Sequence, residues 1–352
     1  MKRVGIIGAG VAGAGVAYAL QHANTSDSVS ISVFEKASTL GGRTATHRSH
    51  GCIYDSGANY IKSDDPIISE LITDTLSTDG LIDVAAPVWT FDGEGTISEG
   101  EDGDEHKWTY EDGITQLATR LFSRADETDS VFRETPIDTI SRENEQWSLT
   151  DASDNDFGTF DVLVLTPPAP QSATLIGKMQ WESDLREELH TAVDAVEFRA
   201  IHSVAAHYPF EIDVPYYALV NTDREHEIGW VSREECKPGH VHDSESLLII
   251  QMAPDWSAER IEDSSESVAH DATELTADLF DDDRLSTPDW SDTRSWRNAL
   301  PDTELTGDAR KRGEQNGLYL AGDWVTGEGR AHLALKNGLA TGKRIHRAFD
   351  RN

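Results

Sequence analysis

Three glycines and one acidic residue near the start of the sequence have the types and spacing needed to bind a dinucleotide. Gly8 permits a tight turn, Gly10 lets backbone N–H groups approach a pyrophosphate, and Gly13 lets a helix pack closely on a strand. Glu35 follows Gly13 by 22 residues, where a carboxylate can accept hydrogen bonds from both hydroxyls of an adenosine ribose. This arrangement favours a ribose without a 2′-phosphate.

The segments around these residues have the pattern of a strand, a turn, a helix and a second strand. Apolar residues 4–7 precede the glycines, small and apolar residues at helical spacing follow them, and the run Val29–Phe34 ends at Glu35. The start of the predicted helix would present N–H groups and a partial positive charge to the phosphates. The rival interpretation is a glycine-containing turn in another kind of α/β protein.

A second glycine-rich segment follows Glu35 and narrows the choice of dinucleotide. Gly41 and Gly42 allow the backbone to pass close to a ligand, and Arg43 supplies a cation beside the pyrophosphate. A nucleotide-binding strand pair followed by Leu-Gly-Gly-Arg resembles the FAD-binding flavoproteins of the amine oxidase and phytoene desaturase type. Residues 54–60 resemble the next segment of those proteins, which runs past the flavin ring.

A third segment, near the end of the sequence, has the same pattern as the first: an apolar strand, then glycines, then the start of a helix. A strand predicted over residues 317–321 stops at Gly322 and Asp323, and a helix is predicted over Ala331–Phe349. Asp323 can bind ribityl or pyrophosphate-side hydroxyls. The helix start can stabilise negative charge on the N1/O2 side of a reduced flavin, which favours FAD over NAD.

The remaining pattern predicts an α/β fold with two domains, one of them an antiparallel-sheet substrate domain. Residues 160–166 are nearly all apolar, as in a strand covered on both faces, and Pro167 and Pro168 end the run. Strands predicted at 201–206, 216–221, 228–232 and 247–253 and a helix at 268–280 form the substrate domain. We predict a discontinuous FAD-binding domain from residues 1–85, 131–170 and 291–352, and a substrate domain from residues 86–130 and 171–290.

The charge of the chain excludes some classes of partner. Its 64 acidic and 30 basic residues, only nine of them lysines, give a formal charge of -34. Such a surface repels nucleic acid and anionic membranes, so the expected partner is a small-molecule substrate. The acidic, lysine-poor composition also suits a halophilic source, where salt screens charge over a few ångström. A disordered acidic protein is the alternative, and nine tryptophans and regular strand patterns argue against it.

The two cysteines, Cys52 and Cys236, are far apart and show no metal-ligand spacing, so we expect ordinary packed thiols in a reducing cytoplasm and no metal site. The acidic, glycine-rich residues 92–104 lack the spacing of a calcium loop and are expected to form a solvated hairpin or loop. We expect no signal peptide and no membrane span.

Taken in order, the whole sequence resembles the renalase-like NAD(P)/FAD-dependent oxidoreductases, especially the short bacterial and archaeal members. Gly322-Asp323-Trp324 and the proline-rich residues 166–172 are the more particular features. The other segments that carry the resemblance are residues 8–13, 41–43, 54–60, 296–297 with Ala299, and 319–321.

The resemblance implies a p-hydroxybenzoate-hydroxylase-like fold with noncovalent FAD. It also implies oxidation of the 2- and 6-dihydro isomers of NAD(P)H to NAD(P)+, with oxygen reoxidising the flavin to give peroxide. A hydride donor that becomes aromatic needs no catalytic base, but its reacting carbon must lie roughly 3 to 3.5 Å from the flavin nitrogen. An amine oxidase and a flavin-binding sensor without turnover remain the alternatives, and a nicotinamide-only dehydrogenase fits worst.

This sequence departs from the family at two positions. His332-Leu333 stands where relatives tend to have Glu-Gly at the flavin-facing helix start, and Gln251 stands where a histidine lies on the substrate-side strand. A protonated His332 could stabilise an anionic reduced flavin, or the ring could simply be hydrogen-bonded in place. The candidate catalytic residues are Asn59, Tyr60, Gln251 and His332. The candidate FAD-binding residues are Gly8, Gly10, Val11, Ala12, Gly13, Glu35, Lys36, Gly42, Arg43, Asn59, Gly322, Asp323, Ala331, His332 and Leu333.

Overall fold

A computed structural model describes residues 1–23, 29–62, 65–100, 105–123 and 130–351 of the chain. The backbone is mixed α/β, as the alternation of apolar runs and helical patterns predicts. Two units are formed, and each takes its residues from separate stretches of sequence. The first consists of Met1–Arg43, Thr115–Phe198 and Leu300–Asn352, and the second of Thr44–Ile114 and Arg199–Ala299.

The strands are β1 (Lys2–Ile7), β2 (Val29–Phe34), β3 (Thr46–Ser49), β4 (Cys52–Asp55), β5 (Ile61–Lys62), β6 (Leu81–Asp83), β7 (Val88–Phe91), β8 (Ile97–Ser98), β9 (Lys107–Tyr110), β10 (Ser130–Phe132), β11 (Ile137–Glu143), β12 (Gln146–Asp151), β13 (Asp156–Phe160), β14 (Val162–Leu165), β15 (Phe198–Tyr208), β16 (Ala218–Asn221), β17 (Ile228–Arg233), β18 (Ser246–Met252), β19 (Trp290–Pro301) and β20 (Leu318–Leu320). The helices are α1 (Val11–Gln21), α2 (Pro66–Glu70), α3 (Gln116–Phe122), α4 (Ala169–Lys178), α5 (Asp184–Asp194), α6 (Pro254–Glu259), α7 (Ser265–Phe280), α8 (Ala309–Gln315) and α9 (Ala331–Phe349). A π-helical turn (Leu71–Thr75) follows α2, and 3-10 turns occur at Glu234–Cys236, Asp283–Ser286 and Asp323–Val325.

The first unit contains a parallel sheet with the strand order β10, β2, β1, β14, β20. Strand β14 is buried along its whole length, as its unbroken apolar run predicts. The last residues of β1, β2, β14 and β20 are paired in register, so the carboxyl ends of these strands lie at one edge. Gly8, Glu35 and Gly322, which follow three of these strands, therefore start from the edge at which open α/β sheets bind ligands.

Helices α1 and α9 of the first unit pack closely against each other where glycines stand in their contact. A Cβ atom added at Gly338 would lie 2.2 Å from the carbonyl oxygen of Ala12, and one at Gly15 would lie 2.9 Å from that of Leu335. Contacts advance in the same direction along both helices, since Gly342 meets the next turn of α1. The two helices therefore run roughly parallel, with their N-termini at the same end.

The second unit is built on a sheet with the order β19, β15, β18, β17, β16, β7, β8. Its pairs are antiparallel where β15, β18, β17 and β16 meet, as the alternating patterns predict, whereas β16 and β7 are parallel. One face buries Leu248, Ile250 and Met252 against α7. The opposite face packs Leu247 and Ile249 against residues of β4.

The domain boundaries predicted from sequence differ from these two units. Residues 44–85, predicted with the cofactor domain, form the β3–β4 hairpin and the strands β5 and β6 that pair with β9 in the second unit. Residues 115–130 and 171–198, predicted with the substrate domain, are assigned to the first unit. Local apolar patterns indicate that a strand exists but not which strand it pairs with, because pairing depends on residues far away in the sequence.

Two further sequence expectations concern the surface of the chain. In the acidic segment of residues 92–104, β8 pairs with β7 as a hairpin, and residues 101–104 lie outside the described residues. Of the helices in the described ranges, none combines the length and the apolar character that a membrane span requires.

Candidate cofactor and active site

The turn after β1 and the first turn of α1 each contain a position that has room only for glycine. Gly8 has a φ of +100°, and a Cβ atom there would lie 2.4 Å from the Thr166 hydroxyl oxygen. That hydroxyl donates to the carbonyl oxygen of Ile7, 2.9 Å away. A Cβ at Gly13 would lie 2.1 Å from the carbonyl oxygen of Gly8. The roles predicted for Gly8 and Gly13 thus have a steric basis.

Helix α1 begins immediately after Gly10, and its first turn offers backbone donors. Gly10 is the N-cap and supplies no side chain, and the first turn has no acidic residue. The N–H groups of Val11 and Ala12 therefore face the end of the helix with a partial positive charge, which suits an anion. Gly10 and Gly41 pair as an isolated bridge, so the second glycine-rich segment lies beside the first.

The carboxylate of Glu35 is buried at the end of β2 and is held by two backbone groups. Its Oε2 accepts a hydrogen bond from the Ala9 N–H and its Oε1 accepts one from the Ala37 N–H, both at 2.8 Å. Each carboxylate oxygen can accept further hydrogen bonds, so the group keeps the capacity to bind ribose hydroxyls. Lys36, by contrast, is exposed, and its Nζ donates to Gln171 Oε1 at 3.2 Å.

Arg43 and Asp323, predicted separately as cofactor ligands, form a bidentate ion pair. Arg43 Nη1 and Nη2 donate to the two carboxylate oxygens of Asp323 at 2.8 and 2.6 Å. The Asp323 side chain is 5% exposed and the Arg43 side chain 26% exposed. The Trp324 N–H also donates to Asp323, at 3.0 Å. The pair joins the segment after β2 to the segment after β20, which the sequence alone did not indicate.

The N-terminus of helix α9, like that of α1, has no side-chain cap. Arg330 is the N-cap without a side-chain cap, and Ala331, His332 and Leu333 form the first turn. His332 is buried. Since α1 and α9 begin at the same end of their crossing, both helices direct positive potential to that side. The predicted FAD ligands of the first unit are therefore gathered at the carboxyl edge of its sheet, with Lys36 on its surface.

In the second unit, the candidate residues Asn59 and Gln251 both hold one turn, residues 56–59. Gln251 Nε2 donates to the Gly57 carbonyl oxygen at 2.7 Å, and the Trp296 indole N–H donates to the Ser56 carbonyl oxygen at 3.1 Å. Asn59 Nδ2 donates to the carbonyl oxygen of Asp55 at 2.9 Å. Gln251 and Asn59 thus have positioning contacts as well as their predicted catalytic role.

The aromatic residues of the second unit fall on opposite faces of its sheet. Tyr60 contacts Tyr217 and Trp230, with ring centroids 6.3 and 6.2 Å apart. Tyr216 and Trp256, also considered from sequence as part of a substrate wall, instead lie in the core cluster on the α7 face. The group around Tyr60 is thus the part of the predicted aromatic wall that adjoins the turn at residues 56–59.

Sequence reasoning missed a buried group of four charged residues behind that turn. Lys237 Nζ lies 2.9 Å from Asp55 and 2.7 Å from Glu234, and all three side chains have no exposed surface. The ring nitrogens of His240 lie 3.0 Å from a Glu234 oxygen and 3.0 Å from the Tyr110 carbonyl oxygen. Both of those oxygens are hydrogen-bond acceptors, so the ring of His240 is held on both sides. We call Asp55, Glu234, Lys237 and His240 the buried quartet.

The protonation of Lys237 follows from its neighbours. Burial disfavours the ammonium, but the nearby carboxylates of Asp55 and Glu234 outweigh burial and raise the pKa of Lys237 above its ordinary value. Asp55 belongs to the quartet through its carboxylate, and its carbonyl oxygen accepts the hydrogen bond from Asn59, so the quartet fixes the start of the turn at residues 56–59. The sequence contains no signal for it beyond a lysine in a chain that has few.

Comparisons with known families agree with the geometry. Residues 6–75 match the NAD(P)-binding Rossmann-like domain, and residues 94–346 match the family of flavin containing amine oxidoreductases. The chain belongs to this family. A flavin-containing amine oxidoreductase is an FAD-dependent enzyme, and the Rossmann-like domain with an antiparallel second unit confirms the predicted fold class.

Solved structures share the fold over the whole chain. A protoporphyrinogen oxidase-like protein from Exiguobacterium sp. superposes with a TM-score of 0.78 at 15% identity, covering 99% of each chain. Cyclohexylamine oxidase from Brevibacterium oxydans gives 0.72 at 15% identity, covering 99% of this chain and 100% of the other. Protoporphyrinogen oxidase 2, chloroplastic/mitochondrial, from Arabidopsis thaliana is 36% identical over 73 residues, which span 21% of this chain and 14% of the plant protein.

The first unit fits FAD by steric and charge criteria. A Cβ at Gly42 would lie 3.3 Å from Gly10 Cα, so the two glycine segments form a cradle that larger residues would fill. The cradle adjoins an uncapped helix start, a buried carboxylate with free acceptor capacity and the Arg43 cation. In this family member, Gly10, Val11, Ala12, Glu35 and Arg43 would hold the nucleotide part of FAD, and α9 would face the ring.

The variant Glu35→Gln is expected to weaken FAD binding about tenfold, because a hydrogen bond to a charged acceptor contributes about 1.5–3 kcal/mol. The introduced amide would also turn an N–H group toward one of the two backbone donors. Quenching of flavin fluorescence on titration of apoprotein measures the dissociation constant. Glu143→Gln, at an exposed residue at the end of β11, is the matched control, and equal dissociation constants for the two variants would contradict the assignment.

Proposed function

We propose that this protein is a renalase-like oxidase that accepts hydride from a small reduced substrate. The first candidate substrates are the 2- and 6-dihydro isomers of NAD(P)H. Two electrons and a proton leave the donor as hydride, and the donor becomes NAD(P)+. Oxygen then takes up those two electrons and that proton, together with one proton from water, to give hydrogen peroxide. We further propose a halophilic setting, supported by the formal charge of -34 and the scarcity of lysine, and a cytoplasmic location, supported by the free thiols of Cys52 and Cys236.

One observation supports this substrate class above the others: neutral amides and aromatic rings occur in and next to the turn at residues 56–59. The Gln251 amide hydrogen-bonds the turn, Asn59 belongs to it, and the ring of Tyr60, the next residue, contacts Trp230. An aromatic, amide-bearing ring can stack on such rings and hydrogen-bond such amides. A dihydronicotinamide regains aromaticity on losing hydride, so the step requires no catalytic base.

The residues of the chain contribute binding, orientation and charge rather than proton transfer. FAD, when bound, supplies the acceptor of the two electrons. Glu35 and the glycine turn hold the nucleotide, and Gln251 and Trp296 hold the turn at residues 56–59 in one conformation. The first turn of α9, with the buried His332, stabilises negative charge that develops near it. In this proposal the rate is increased mainly by holding the reacting carbon of the donor close to the flavin.

The proposal is tested by anaerobic reduction of the flavin in molar salt. The purified FAD protein is mixed with 2-, 4- and 6-dihydro isomers of NAD(P)H and with simple amines, and bleaching of the flavin absorbance is followed by stopped flow. We expect rapid bleaching with the 2- and 6-dihydro isomers and slow bleaching with the 4-dihydro isomer. Admitting oxygen should then restore the colour and release one peroxide per flavin, following the two-electron stoichiometry.

Two other outcomes decide between the alternatives. Bleaching by amines alone would identify an amine oxidase, a function that the family and the fold of cyclohexylamine oxidase favour. Absence of bleaching by every donor, in protein that retains FAD, would indicate a flavin-binding protein without turnover, such as a sensor that uses its acidic surface.

A further inference from the structure

The second unit brings together three side chains that are typical ligands of a transition metal. Cys52 lies in β4, His207 lies in β15, and Glu245 immediately precedes β18. One ligand atom from each lies within 4.8 Å of the others. His207 Nε2 and Glu245 Oε2 are 3.1 Å apart. Cys52 and His207 are buried and Glu245 is half-buried, so the group is at the margin of the core.

The second ring nitrogen of His207 lies near a carboxylate but is not hydrogen-bonded to it. His207 Nδ1 is buried, has no hydrogen-bond partner among the described residues, and lies 3.6 Å from Asp289 Oδ2. The Asp289 N–H donates to the His207 carbonyl oxygen at 2.8 Å, which keeps that carboxylate close. Trp290 stacks on the ring with an interplanar angle of 8°. A histidine that binds metal through one nitrogen usually directs the other toward a carboxylate.

A second group of potential ligands in the same unit provides a contrast. Asp55, Glu234 and His240 are also close enough to hold a metal ion. There, however, the Lys237 ammonium already contacts both carboxylates, at 2.9 and 2.7 Å, and occupies the position that a metal ion would need. The ion pair that Glu245 makes is with His207 alone in the described part of the chain, so two carboxylates and a thiol surround the imidazole without a lysine or arginine.

We propose that Cys52, His207 and Glu245 bind a zinc ion, with Asp289 orienting His207. Sulfur, nitrogen and oxygen ligands together suit Zn²⁺ rather than Mg²⁺ or Ca²⁺, which prefer oxygen. Ligands on a tetrahedral zinc are about 3.3–3.8 Å apart, so the side chains need to approach by at most about 1.5 Å. Three protein ligands leave the fourth position open to water. The ion would tie the β3–β4 hairpin to β15 and β18, independently of the proposed function.

The test is a zinc titration of the FAD-loaded protein after treatment with a chelator, in molar KCl with excess Mg²⁺ to occupy surface carboxylates. We expect about one zinc per chain by calorimetry and by metal analysis after gel filtration. Cys52→Ala and His207→Ala should lose this binding. Asp289→Asn should weaken it about 10- to 100-fold, as loss of an outer carboxylate typically does. Cys236→Ala and His242→Ala should bind as the unaltered protein does.

Glu245→Gln keeps the test decisive where a core substitution prevents folding, because Glu245 is partly exposed. Retained FAD absorbance shows that this variant is folded. Its zinc affinity should be lower than that of the unaltered protein, as is expected for Asp289→Asn. No binding by the unaltered protein, or equal binding by Glu245→Gln and the unaltered protein, would overturn the proposal. Loss of binding in His242→Ala with retention in Glu245→Gln would instead assign zinc to the exposed histidine.

Discussion

Replacing Lys237 with methionine is expected to lower the free energy of unfolding by about 3–5 kcal/mol. The substitution keeps an unbranched side chain but removes the ammonium that lies 2.9 Å from Asp55 and 2.7 Å from Glu234. Asp55 and Glu234 would then lose the ammonium that they share, at a site with no exposed surface. The midpoint of urea unfolding in molar KCl, followed by tryptophan fluorescence, measures the loss.

Lys62→Met is the matched control for this prediction. Lys62 also belongs to the second unit and pairs with Glu105 at 3.1 Å, but both side chains are solvent-accessible. A surface ion pair contributes about 0–1 kcal/mol, so this variant should unfold near the midpoint of the unaltered protein. If both variants had the same midpoint, the buried quartet would not have the charges assigned to it.

The second large effect is expected at Gly338, in the crossing of α1 and α9. Alanine normally stabilises a helix interior by about 1 kcal/mol relative to glycine. Here a Cβ atom would lie 2.2 Å from the Ala12 carbonyl oxygen, and backbone cannot move aside as a flexible side chain can. Gly338→Ala should therefore destabilise the first unit by about 1–3 kcal/mol and weaken FAD binding about tenfold or more. The change separates the two helix starts that face the cofactor.

Gly177→Ala in α4 is the control, because it makes the same change in helix propensity as Gly338→Ala without a clash with backbone. Its added Cβ would meet only the His190 ring, at 3.0 Å, and that ring can rotate away. This variant should unfold near or slightly above the midpoint of the unaltered protein and bind FAD normally. Measuring FAD content and thermal midpoint for both variants checks the prediction. A stabilised Gly338→Ala protein would show that the helices do not cross as closely as described.

The parts of the fold that sequence predicted well are those governed by neighbours along the chain. Segments β1, α1 and β2 and helix α9 were predicted from the spacing of apolar residues, the positions of glycines and the lengths of the apolar runs. These signals depend on only a few neighbouring residues. The Glu35 carboxylate was predicted for the same reason, since its distance from Gly13 is set by one helix and one strand.

The parts that sequence did not predict depend on residues brought together from distant segments. Arg43 was expected to face a pyrophosphate and Asp323 to face hydroxyls, and the structure shows that the two also bind each other. Cys52 was interpreted as an isolated thiol because its neighbours His207 and Glu245 are far away in sequence. The spacing of residues along the sequence does not reveal such contacts, because they arise only when strands that are far apart in sequence pair in a particular register.

The crossing of α1 and α9 has a consequence for how the protein is made. A nascent chain that has emerged only as far as residue 317 contains β1 and the glycine turn but lacks the edge strand β20 and the helix that covers α1. Domains generally fold as units during synthesis. Here α1, the first helix, packs against α9, the last, so its packing is completed only when α9 has been made. We therefore expect FAD to bind late in biosynthesis, after residues 318–349 have left the ribosome.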